Sequence, residues 1–218
     1  EILIGLVGSE MCIRDRDLVV SINNSSFVGN KAPVAGAIFT NVDSKITNSN
    51  FTKNTASKGG AVLNENGAKL TVDNSTFKDN AADSYGGAVF NNGELVVSDS
   101  VFDSNDIVNR GSASVDYGGA AIYNWYDGVL TVSGSNFTNN IKNYKNGDRL
   151  VGAVATIGDA TISDSCFVNN AGRWGGAISA TGAELRKNSS TLTVSNTCLL
   201  YTSASPRDRS VSRMPSSA

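Results

Sequence analysis

The sequence predicts an all-β fold, a single-stranded parallel β-helix of about six to seven coils, and three observations predict it. A phrase Ser-x-Phe-x-x-Asn occurs six times without departure. A phrase resembling Gly-Gly-Ala-Val/Ile answers it each time, and an aliphatic residue stands five positions before each Phe. A unit of about 25 residues holding only short apolar runs is too small to bury a core of its own, so its copies must stack.

In chain order, the first coil carries Ile22, then Ser25, Phe27 and Asn30, answered by the degenerate Ala35-Gly36-Ala37-Ile38. The second carries Ile46 with Ser49, Phe51 and Asn54, then Gly59-Gly60-Ala61-Val62; the third carries Val72 with Ser75, Phe77 and Asn80, then Gly86-Gly87-Ala88-Val89. Val97, Ser100, Phe102 and Asn105 open the fourth, answered by Gly118-Gly119-Ala120-Ala121. Val132, Ser135, Phe137 and Asn140 open the fifth, answered by the degenerate Val151-Gly152-Ala153-Val154. The sixth has Ile162, Ser165, Phe167, Asn170 and Gly175-Gly176-Ala177-Ile178, and Val194 begins an incomplete seventh. Runs such as Leu70-Thr71-Val72, Leu95-Val96-Val97 and Leu130-Thr131-Val132, bounded by Asn, Asp, Ser and Gly, are strand and turn signals. No apolar i, i+3, i+4 pattern persists for the length of a helix.

The repeat dictates the register. Phe27, Phe51, Phe77, Phe102, Phe137 and Phe167 form an internal aromatic column, which a one-residue slip would turn outward. Asn30, Asn54, Asn80, Asn105, Asn140 and Asn170 mark a corner where each amide bonds backbone and the next Asn. The Gly-Gly pair supplies a tight or left-handed corner, and the Ala after it fits a crowded wall.

The two ends lie outside the repeat. Met11-Cys12-Ile13-Arg14-Asp15-Arg16 and Cys198-Leu199-Leu200-Tyr201-Thr202-Ser203 back-translate to opposite strands of one DNA string, so residues 1–16 and 198–218 resemble translated sequencing-adaptor sequence and are expected to be non-native tails. The expectation is that residues 17–197 are a β-helix fragment of a longer protein. Within it Cys166 reads as a small buried hydrophobe, with no disulfide framework.

The Gly-Gly-Ala-Ile and Phe-x-x-Asn phrases resemble the repeats of chlamydial polymorphic outer membrane proteins. The wording Gly-Gly-Ala-x-x-Asn, Leu-Thr-Val, Ser-x-Phe-x-x-Asn is also similar to adhesin-like surface proteins of gut methanogens and bacteria. The resemblance covers nearly all of residues 17–197. It implies a right-handed, pectate-lyase-like solenoid displayed extracellularly at the cell surface, with further coils of the same parent chain as its neighbours.

Chemistry is sparse. The chain has no His, which removes Ser-His and Cys-His pairs and His-based metal sites. A formal net charge of −2 and no basic stripe argue against nucleic acid. Asn24, Asn48, Asn74, Asp99, Gly134 and Asp164, three before each Phe, read as a solvated turn ladder, so no catalytic, cofactor or metal residue is expected. Neither is a membrane span. The repeat breaks where residues 106–117 and 141–150 run about twice the usual length at one corner of adjacent coils. Arg110, Asp116, Tyr117, Tyr144, Lys145, Asp148 and Arg149, with nearby Tyr123, Trp125, Tyr126 and Trp174, form the candidate binding patch. Aromatic faces beside charged groups suit glycans or proteins of host or neighbouring cells. The expectation is an adhesin-like spacer and binding surface without catalysis. The alternative is a fragment of a carbohydrate-active β-helix enzyme, lyase or hydrolase, whose site lies on other coils.

Overall fold

In the computed structural model, residues 18–109, 117–141, 150–180 and 190–200 are described. They contain strands and turns and no helix, and every strand pairing is parallel. The chain is a parallel β-helix in which each coil gives one strand to each of several sheets, as the repeat requires.

The aliphatic sheet takes Val20–Asn23, Ser44–Thr47, Lys69–Asp73, Glu94–Ser98, Val129–Ser133, Asp159–Ser163 and Leu192–Ser195. The phenylalanine sheet takes Ser26–Val28, Asn50–Thr52, Thr76–Lys78, Val101–Asp103, Asn136–Thr138, Cys166–Val168 and Cys198–Leu200. The glycine phrase leads into a third sheet of Ile38–Thr40, Val62–Asn64, Val89–Asn91, Ile122–Asn124, Val154–Thr156 and Ile178–Ala180. Before that phrase runs a short sheet of Thr55–Lys58, Ala81–Tyr85, Asp106–Ile107, Tyr117–Gly118 and Leu150–Val151.

The six Phe rings stack with centroids 4.5 to 4.9 Å apart and planes within 5° of parallel. That spacing is the strand repeat itself, so each ring occupies the same place in its coil. From Phe51 to Phe167 the rings are fully buried, each worth roughly 1.5 to 3 kcal/mol. Phe27, in the first described coil, is half-buried.

The Asn ladder satisfies every amide atom in its central coils. Asn105 donates from Nδ2 to the Phe77 carbonyl and to Asn140 Oδ1, while its Oδ1 accepts from both the backbone N–H and Nδ2 of Asn80. The same pattern holds from Asn54 to Asn140, all fully buried. Beside it each ladder Ser donates from Oγ to the carbonyl two residues back and accepts the preceding coil's Ser N–H. Buried polar groups are tolerated here because each one has its partners.

Corners differ in detail from the sequence reading. The turn ladder Asn24, Asn48, Asn74, Asp99, Gly134 and Asp164 is exposed and left-handed, with φ of 44 to 57°. A second left-handed residue precedes each ladder Asn, at Gly29, Lys53, Asp79, Ser104, Asn139 and Asn169; the ladder Asn itself turns its amide inward. In the fourth coil the phrase shifts by one residue. Ile122 pairs with Val89, so Gly119, Ala120 and Ala121 take the places of Gly86, Gly87 and Ala88, and Gly119 carries the positive φ.

Cys166 is corrected in position: the residue before a ladder Phe points outward, and Cys166 is half-exposed rather than buried. Cys198, in the segment expected to be a tail, pairs with it and the two are joined as a disulfide, with Leu199 opposite Phe167. Strand Cys198–Leu200 continues the phenylalanine sheet because Thr197 and Leu199 fall in the Ser and Phe slots, and Thr197 Oγ1 donates to the Ser195 carbonyl as each ladder Ser does.

Candidate functional site

The middle strands of the third sheet, from Val62–Asn64 to Val154–Thr156, are buried on both faces. Val62, Val89, Ile122 and Val154 enter the main core, whereas Leu63, Phe90, Tyr123 and Ala155 pack in a separate cluster on the opposite side. A positive-φ Gly before four of the sheet's strands, Gly59, Gly86, Gly119 and Gly175, folds the short sheet back toward that outer side. The result is a strip along the helix axis between two lines of side chains.

One line follows the short sheet, where Lys58, Tyr85, Gly118, Val151 and Trp174 are successive partners. The other follows the residues just after the third-sheet strands, Glu65, Asn92, Trp125 and Ile157, whose N–H groups bond the preceding coil. Aromatic rings close over the middle. Tyr85 lies 4.7 Å from Tyr123 and 5.8 Å from Trp125, Phe90 lies 5.9 Å from both, and Tyr126 stands edge-on to Trp125 at 4.7 Å. Such tilted and edge-on contacts suit ring quadrupoles. Burial pushes the Tyr123 phenol up from its ordinary value, so it stays a neutral hydrogen-bonding group.

Lys58 reaches over these rings, its Nζ 5.6 Å from the Phe90 centroid and 6.0 Å from that of Trp125. It has no carboxylate partner among the described residues. Glu65 accepts one N–H, from Asn66. Between Lys58 and Glu65 opens a cleft of about 220 Å³, floored by Leu63 and Phe90 and closed by Pro33, Val34 and Ser57. At the strip's ends Phe39 is 55 % exposed and Trp174 51 % exposed, with the Arg173 guanidinium 5.1 Å above the Trp174 ring.

Of the predicted patch, Tyr123, Trp125, Tyr126 and Trp174 belong to this strip. Tyr123 is its floor rather than free surface, because Tyr85 and Trp125 cover it. Arg110, Asp116, Tyr144, Lys145, Asp148 and Arg149 lie outside the described residues; Tyr117 contributes a backbone pairing to Leu150 at the strip's edge. Sequence reasoning missed Lys58, Glu65, Tyr85 and Phe90. Their signal was positional: Phe90 and Leu63 are the residues after Gly-Gly-Ala-Val, and Lys58 and Tyr85 are those before it.

A second buried amide ladder was also missed. Asn64, Asn91 and Asn124 bond one another through Nδ2 to Oδ1, and the row ends on Thr156 Oγ1. It supports the strip from beneath, since each of these residues closes the strand that carries Leu63, Phe90 or Tyr123. Asp99 and Asp164 serve turns: an Asp99 carboxylate oxygen lies against Gly134, and Asp164 accepts from Asn196. Among the described residues no group of three or more His, Cys, Asp or Glu is placed to hold a metal ion.

The Chlamydia polymorphic membrane protein (Chlamydia_PMP) repeat matches residues 48–65 and 74–92. No curated protein and no solved structure matches the chain. Each matched segment runs from the left-handed Asn through the Phe and Asn ladders and Gly-Gly-Ala to the second amide ladder and the residue after it, which is one coil wall from core to strip. The chain therefore carries repeats of the polymorphic membrane protein type, folded as a parallel β-helix.

Proposed function

We propose that this chain is part of an adhesin-like protein at the cell surface, in which the coils act as a stiff spacer and the aromatic strip binds glycans or proteins. One observation carries the reading. The inward Phe and Asn ladders repeat one residue coil after coil, and the inward aliphatic column five positions before each Phe holds only Ile and Val, whereas the strip's column changes from Phe39 to Leu63, Phe90, Tyr123 and Ala155. The side chains that cover this varied column, Lys58, Tyr85, Trp125 and Trp174, vary with it and make the outer surface that a partner would meet. The match of two coils to a membrane-protein repeat supports the surface setting.

The test is retention of the full chain on intact cells, on cells stripped of surface glycans and on cells stripped of surface protein, with a polysaccharide panel assayed for new reducing ends. Retention that falls at least about tenfold when Trp125 and Tyr85 are both replaced by Ala is the expected result. Turnover of a polysaccharide, or retention indifferent to both residues, would overturn the reading.

A further inference from the structure

We propose that the strip takes a neutral glycan lying along the helix axis, with one pyranose seated between Lys58 and Glu65. This rests on the reading of the chain as a binding surface and goes further by fixing the ligand's class and direction.

The case against an extended peptide is made by the backbone. A strand binds a sheet by adding to a free edge. Along the strip the third-sheet strands are each paired on both sides from Val62–Asn64 to Val154–Thr156, so no edge is offered. What the strip does offer is ring faces and side-chain heads.

Charge argues against a polyanion or a polycation. Lys58 and Glu65 line one cleft with opposite charges, so neither sign dominates the seat. A cation drawn to the Phe90 and Trp125 rings would meet the Lys58 ammonium beside them, like charge against like.

A neutral pyranose meets the remaining requirements. Its C–H face packs on the cleft floor of Leu63 and Phe90, its hydroxyl oxygens accept from the Lys58 ammonium, and its hydroxyl protons go to the Glu65 carboxylate. Ring contact holds Lys58 over the cleft, which lowers the entropy lost when it bonds a ligand. Coils rise by about 4.8 Å, a step close to that between rings of an extended hexose chain. The exposed or half-exposed rings Phe39, Trp125, Tyr126 and Trp174 are set out along the axis to either side of that cleft, so a polymer seated there meets further rings in both directions.

Both tryptophans of the chain, Trp125 and Trp174, lie on this strip, so intrinsic fluorescence of the full chain reports its occupancy. The titration uses neutral β-glucan, mannan and galactan oligomers of increasing length, with polygalacturonate and heparin as charged probes. The expected result is saturable binding of a neutral oligomer that strengthens with length and changes less than about twofold between roughly 0.05 and 0.5 M salt. The variant K58M, at an exposed position that leaves the coil intact, is expected to weaken it at least about tenfold, as is E65Q. Preference for the charged polymers, or neutral binding unchanged in K58M and E65Q, overturns the proposal. If the chain is retained on cells through Trp125 and Tyr85 but binds no neutral oligomer, this inference falls and the binding-surface reading stands. If it binds neither, both fall.

Discussion

Replacing Asn105 by Ala tests whether the amide ladder holds the coils in register. Asn105 is fully buried and its side chain makes four hydrogen bonds of 3.0 to 3.1 Å: to the Phe77 carbonyl, to Asn140 Oδ1, and from Asn80 through both N–H and Nδ2. At a net value of about 1 kcal/mol per bond the substitution costs about 4 kcal/mol. Loss of the side chain also strands the Asn80 N–H, which pushes the cost upward. With a slope near 2 kcal/mol/M in urea, the midpoint of the full chain should drop by about 2 M. Hydrogen exchange at the Asn80 amide reads the lost bond directly. Asn30 is the control: it is exposed and its side chain makes one bond, to Asn54, so N30A should cost about 1 kcal/mol or less. N105D adds a pH signature. Burial against the Phe77 carbonyl would raise the new carboxyl's folded pKa above its unfolded value near 3.9. Its stability is then fully present below about pH 4 and is lost as pH rises through the folded pKa. A cost for N105A within about 1 kcal/mol of that for N30A would refute the ladder as a determinant of register.

Three further outcomes are expected. Asn64 Oδ1 is buried without a partner because Thr40, in the preceding coil, turns its hydroxyl to Ser44 and the Val42 carbonyl, so T40N should stabilise by about 1 kcal/mol in thermal or urea unfolding by supplying an Nδ2 donor; a destabilised variant would show the coil end cannot accept the amide. Gly29 and Gly86 both have positive φ, but a Cβ at Gly29 meets open space while one at Gly86 runs into the Val89 carbonyl; G29N should be near neutral and G86N should lose well over about 1 kcal/mol, and equal costs would sink the distinction. Burial pushes the Asp103 carboxyl up, yet hydrogen bonds from Lys78, Ser104 and Asn139 outweigh it and hold the folded pKa below the ordinary value. Its contribution is therefore present above the unfolded pKa near 3.9 and lost as pH falls through the folded pKa, and D103N should flatten the acid limb of a stability-versus-pH curve.

What the sequence made legible follows from how each feature is encoded. Phe77 and Asn80 stand in contacts that every neighbouring coil repeats, so one structural demand is written six times and the register of the core can be read from letters alone. The Gly118-Gly119 pair misleads for the opposite reason: two glycines look like one phrase, but only the residue with positive φ marks the corner, and that is Gly119. The second ladder is partly hidden because Thr40 and Thr156 replace Asn at its ends, a hydroxyl meeting the same carbonyls from a different residue type. The strip was least legible. Tyr85 meets Tyr123 across two coils, and its members share a column without sharing a residue type, so no repeated letter announces them.

The same encoding explains why the strip can vary in sequence. Asn105 and Asn140 are 35 residues apart in sequence, Asn54 and Asn80 only 26, yet the amide contacts in both pairs are equivalent. An insertion at the corner beyond the ladder thus lengthens the chain without lengthening the coil step, because the ladder closes on itself before the insertion begins. The added entropy of a longer surface loop is small, about 0.6 kcal/mol per doubling. Substitution in the strip costs similarly little in register, since Phe90 and Tyr123 are held by the strand pairing beneath them and not by their own identity. Core columns therefore resist change while the outer column and its adjoining corner absorb it coil by coil, with the solenoid left intact.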